Sequence, residues 1–98
     1  MRLSEMLDNV DAAIALRGAD VEVTGITSDS RKVEPGVIFA ALPGMHAHGR
    51  DYIGHALEQG AAAILCRPGD APETCHAAIL EAEDVRHAYA VLAARYYQ

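Results

Sequence analysis

Four consecutive short polar side chains, Thr27, Ser28, Asp29 and Ser30, lead into the basic pair Arg31 and Lys32. Hydroxyls donate or accept as needed and a carboxylate accepts, so a turn of this kind can hold the edge of a flat, heteroatom-rich ring. A second polar stretch, Pro43 to Arg50, offers backbone groups and the histidines His46 and His48. Between the two lies the apolar run Val37 to Leu42. In α/β proteins, loops that leave strands on the same side of a sheet share a crevice where small polar ligands bind. The pattern therefore predicts a two-loop binding site built around one buried strand. Free amides at the helix start near Arg50 and Asp51 could face a diphosphate, since a helix N-terminus carries unpaired donors and partial positive charge.

Other chemistries find less support. The chain has no G-x-x-x-x-G-K-[ST] segment and so no nucleoside triphosphate loop of that kind. The glycines at 44 and 49 lack the spacing of a dinucleotide fingerprint. His46, His48 and His55 could converge on a metal, yet no fourth ligand is evident and loop histidines are usually solvated. Ser28 or Ser30 with Asp29 and His46 could be drawn as a hydrolase triad. No G-x-S-x-G elbow is present, and Ser and Asp in turns normally bond their own backbone. Arg31 has two readings, an ion pair that pins the turn or a contact with ligand phosphate, and the first is preferred. Lys32 reads as solvated, and Tyr89 and Tyr96 as core or interface residues.

These groups need a scaffold, and 98 residues suffice for one small domain. An apolar fraction of 51%, drawn mostly from Ala, Leu, Ile and Val, predicts an aliphatic core. The formal charge of -6 disfavours nucleic acid and anionic membrane, both of which attract a basic face. The acidic start MRLSEMLDNV and the lack of a long apolar run predict a cytoplasmic chain. Cys66 and Cys75 flank a Pro/Gly-rich loop without metal or redox spacing and read as free thiols.

In chain order, the spacing predicts a helix over Leu3 to Asn9 with Ser4 as its cap, and an ambiguous segment from Asp11 to Asp20 that could continue the helix or form a short apolar crossing ending at Gly18. A strand follows over Val21 to Ile26, then the continuous apolar strand Val37 to Leu42, which must be covered on both faces. Asp51 is the expected cap of a helix whose inward stripe is Ile53, Ala56 and Leu57 and whose stop is Gly60. Ala61 to Cys66 is a second continuous apolar strand, joined to the first by a crossover that makes the two parallel. Ala77 to Ala82 reads as a strand, although its alanines fit a helix equally well. A last helix begins after Asp84, its apolar face formed by Val85, Ala88, Tyr89, Leu92, Ala93 and Tyr96. It reaches Tyr97 and Gln98 without a terminator, so the end reads as cut. The predicted class is α/β, a small, mostly parallel sheet with helices packed on its faces.

Two segments, ITSDSRKVEPGVIFAALPG and GRDYIGHALEQGAAAIL, carry a resemblance, and AYAVLAARYY extends it more loosely. Together they resemble the N-terminal domain of the Mur ligases, most closely those that add diaminopimelate or lysine as the third residue of the peptidoglycan stem. The resemblance implies a Rossmann-like domain, here residues 1–98, that holds the uridine diphosphate part of UDP-N-acetylmuramoyl-L-alanyl-D-glutamate. ATP and Mg2+ would belong to central and C-terminal domains absent from this chain, so the chain alone would be inactive and hold no cofactor. By the same resemblance, Ser28 and Ser30 contact the uracil end, Met45, His46 and Ala47 close over uridine and diphosphate, and Asp29 and Arg31 shape the turn. His48 departs from the acidic residue common before the second loop's glycine. The ligase that adds D-alanyl-D-alanine shares this layout and is the alternative, along with a non-catalytic scaffold of the same fold.

Overall fold

The computed structural model describes residues 1–44 and 49–97. Its elements are α1 (Leu3–Leu7), β1 (Ala15–Arg17), β2 (Gly25–Thr27), β3 (Val37–Ala40), α2 (Ile53–Glu58), β4 (Ala63–Cys66), β5 (Ala78–Glu81) and α3 (Val85–Tyr97). Short 3-10 turns cover Ser30–Lys32 and Gly49–Tyr52. The strands form one sheet in the order β1-β5-β4-β3-β2, in which β2, β3, β4 and β5 run parallel and β1 closes one edge antiparallel.

Unbroken apolar runs arise because both faces of the sheet are covered, so neither side of the pleat can be polar. Ile38 and Ala40 of β3, Leu65 of β4 and Leu80 of β5 face Leu3, Met6, Val85, Ala88 and Leu92 of α1 and α3. Their alternates Phe39, Ile64, Cys66 and Ile79 face Ile53 and Ala56 of α2. Tyr89 and Tyr96 are half-buried and pack against the first of these layers. Burial pushes the Cys66 thiol up to about 11, reinforced by the carboxylates of Asp70 and Glu81, so this cysteine is a neutral packing group at physiological pH.

Several expected boundaries shift. The extended segment predicted over Val21 to Ile26 changes partner midway. Val21 and Val23 pair with the first residues of the chain, through the amide of Leu3 to the Val21 carbonyl (2.8 Å) and the amide of Val23 to the Met1 carbonyl (2.7 Å). Only Gly25–Thr27 joins the main sheet, in register with Val37, Ile38 and Phe39. Ser4 lies inside α1 rather than capping it. Its hydroxyl donates to Asp20 at 2.9 Å, and the Glu5 carboxylate accepts from the Arg2 amide at 2.9 Å to close the helix start. Asp51 does not cap α2, because the chain enters that helix through a 3-10 turn that contains it, and Tyr52 occupies the cap position without a side-chain hydrogen bond. β3 stops at Ala40 because the Leu42 amide turns back to the Ala40 carbonyl (3.1 Å) just before Pro43. Asp84 does cap α3, accepting from the His87 amide at 3.0 Å.

Candidate functional site

The parallel pairing of β2 with β3 sets the geometry of the site. With Thr27 opposite Phe39, the Ser28–Arg31 turn and the Ala41–Gly44 segment emerge side by side from the same end of the sheet. The turn is closed by its own side chains. Thr27 Oγ1 accepts from the Asp29 amide at 3.1 Å, and Asp29 Oδ1 accepts from the Arg31 amide at 2.9 Å. Arg31 returns a forked pair to the same carboxylate, Nε to Oδ1 at 3.0 Å and Nη2 to Oδ2 at 2.9 Å. Of the two readings of Arg31, the geometry shows the ion pair. Backbone bonds from Lys32 and Val33 to the Asp29 and Ser30 carbonyls complete the bend, in which Ser30 is 8% exposed.

The Arg31 guanidinium and amide hold the Asp29 carboxyl down at about 2, against an ordinary 3.8. Because the folded value is the lower one, the pair stabilises the turn fully above the ordinary value and loses its effect as pH falls through about 2. We expect carboxyl carbon shifts to place the Asp29 titration near pH 2 and Arg31→Ala to return it toward 3.8. An unchanged midpoint in the variant would contradict this source of the shift.

The second loop is anchored at both ends of its described part. The Gly49 amide donates to the Leu42 carbonyl at 2.8 Å, and Arg86 on α3 donates through Nη2 to the Pro43 carbonyl. Met45, His46, Ala47 and His48 lie outside the described residues, and with them the metal and triad readings that use His46 and His48. His55 is on α2, exposed and 3.3 Å from the Gln59 amide nitrogen. No group of metal-ligating side chains occurs among the described residues. Arg50 Nη1 stands 4.0 Å from Asp70 Oδ1.

Beyond the loop, Gly49–Tyr52 carries the chain back toward the first turn. Among the described residues, Ser28, Asp29, Ser30, Arg31 and Tyr52 line one cavity of about 350 Å³. Sequence reasoning brought the four turn residues together but missed Tyr52 and Arg86. The signal for Tyr52 was its position: it immediately precedes the inward stripe beginning at Ile53, which leaves an aromatic ring outside the core at the mouth of a strand–loop–helix connection.

A model described as Mur ligase family, catalytic domain, matches residues 22–97. The UDP-N-acetylmuramoyl-L-alanyl-D-glutamate--2,6-diaminopimelate ligase of Mesorhizobium japonicum is 44% identical over 79 residues, covering 81% of this chain and 16% of that protein. Its namesake from Streptomyces coelicolor is 40% identical over 97 residues, 97% of this chain and 19% of that protein. The chain therefore spans less than a fifth of the length of these curated relatives. Among solved structures, MurF from Acinetobacter baumannii superposes with a TM-score of 0.69 at 20% identity, over 94% of this chain and 20% of that one, a likeness of fold. A family match spanning the turn, the central strands and the last helix shows that the chain belongs to the Mur ligase family.

Proposed function

We propose that this chain is the domain of a longer ligase that grips the uridine diphosphate end of UDP-N-acetylmuramoyl-L-alanyl-D-glutamate. The observation that carries this reading is the cavity shared by the Ser28–Arg31 turn and Tyr52, beside the anchored ends of the second loop. Ser28 and Ser30 supply hydroxyls to the uracil edge, and Asp29 and Arg31 fix the turn that presents them. Met45, His46 and Ala47 are proposed to cover the uridine and diphosphate. The relatives' names add the amine, 2,6-diaminopimelate.

Chemically, the full-length enzyme would transfer a phosphoryl group from ATP, with Mg2+, to the substrate carboxylate, and the amine would then displace phosphate to form the amide. Nucleotide and reacting carboxylate lie at opposite ends of such a substrate, so the nucleotide works as a handle whose binding energy orients a distant centre. We assign ATP and Mg2+ to the other domains of the full-length ligase, in keeping with the short share of its relatives that this chain spans. We place the protein in the cytoplasm, and among the described residues no helix is long and apolar enough to cross a membrane.

Titration of the labelled chain with UDP, and separately with the UDP-N-acetylmuramoyl dipeptide, tests the reading. Both ligands are expected to move the amide signals of Ser28, Asp29, Ser30 and Arg31. Shifts confined to the opposite edge, around Arg17 and Cys75, or no shifts at millimolar ligand, would overturn it.

A further inference from the structure

We propose that Tyr52 is the residue on which the base of the nucleotide stacks; the inference rests on the nucleotide-binding reading and deepens it. Met1, Leu16, Tyr52 and Tyr97 are the large apolar side chains left exposed among the described residues. Of these, Tyr52 alone lines the cavity bounded by Ser28–Arg31, at 43% exposure. Its backbone is anchored on both sides. On one side Gly49 is hydrogen-bonded to the end of β3, and on the other Ile53 is buried at 3% exposure under the sheet. Tyr52 itself ends the 3-10 turn at φ -106 and ψ 2.

An aromatic face and a hydroxyl-bearing edge complement each other in what they recognise. Ser28 and Ser30 can donate to and accept from the heteroatoms around the rim of a planar heterocycle, but they offer nothing to its faces. Tyr52 supplies a face, and stacking of a base on an aromatic side chain is independent of the rim pattern. Tyr52 thus accounts for affinity toward the base, and the serines for its orientation. A diphosphate has no planar face to stack on an aromatic ring, so the contribution of the base can be separated from it.

Binding constants for UDP and for inorganic pyrophosphate, measured on the wild-type chain, Tyr52→Ala and Tyr52→Phe, test the assignment. Tyr52→Ala is expected to weaken UDP by about tenfold or more, and Tyr52→Phe by no more than about twofold, because the ring is retained. Pyrophosphate binding should be equal in all three, and UDP should shift the Tyr52 ring protons of the wild type upfield. If Tyr52→Ala binds UDP as the wild type does while Ser28 and Ser30 amides still respond, stacking is overturned and the nucleotide reading stands. Equal weakening of UDP and pyrophosphate also overturns it, as general damage to the site. Failure of UDP to move Ser28 and Ser30 in the wild type removes both.

Discussion

Gly49→Ala is expected to lower the thermal midpoint by about 10 °C or more and to abolish UDP binding at the concentrations that saturate the wild type. A β-carbon at this position would lie 2.4 Å from the Ala41 carbonyl carbon, 2.4 Å from the Leu42 nitrogen and 2.6 Å from the Leu42 oxygen. All three are backbone atoms of the segment that leaves β3, so no side-chain rotation relieves the overlap. The chain must move, and the 2.8 Å bond from the Gly49 amide to the Leu42 carbonyl moves with it. Overpacking of about 1–3 kcal/mol and the loss of one hydrogen bond, about 1 kcal/mol, act together. The second loop then loses its closing contact and Tyr52 its fixed base. Gly54→Ala is the matched control. No atom lies within 4 Å of its added carbon, and a glycine inside α2 costs helix stability, so that variant should melt at or slightly above the wild-type temperature. Comparable losses in both variants would contradict the close-packing argument.

Phe39→Ala carries the second large effect, a loss of about 3–5 kcal/mol. Phe39 is 1% exposed and packs with Ile53, Ala56 and Ile64 in the layer between the sheet and α2. Truncation removes the ring from the strand that separates the two loops, opposite Thr27 in the β2 ladder. Small domains have about 5–15 kcal/mol in total, so the variant should approach half-unfolding in mild denaturant, with its midpoint lowered at unchanged slope. Phe39→Leu, which keeps most of the volume, should lose about 1.5 kcal/mol or less. An alanine variant with the wild-type midpoint would show that this face of the sheet is not the closed core described here.

What the sequence disclosed follows from where its constraints were local. β3 and β4 were legible because a strand buried on both faces has no polar alternate, and Val37 to Ala40 and Ala63 to Cys66 contain none. Asp84 was legible because a cap bonds an amide three residues on. Long-range partners were not. β1 is exposed at every position and carries no hydrophobic pattern, and its identity as a strand comes from the register of Ala15, Leu16 and Arg17 against Glu81, Leu80 and Ile79. The split of the Val21 to Thr27 segment likewise depends on the N-terminal residues returning to pair with it. At the site, the Thr27 to Arg31 turn could be read because its bonds span only two residues. Tyr52 carried only the signal of its place before Ile53, because its neighbours in the cavity are more than twenty positions upstream.

We propose that the turn after β2, with Tyr52 lining the same cavity, receives a uridine nucleotide. A crystal structure of this chain grown with UDP tests it most directly. Uracil density is expected inside the cavity of Ser28, Ser30 and Tyr52, with the diphosphate leading away from the turn. UDP bound on another face of the sheet, with that cavity filled only by solvent, would contradict it.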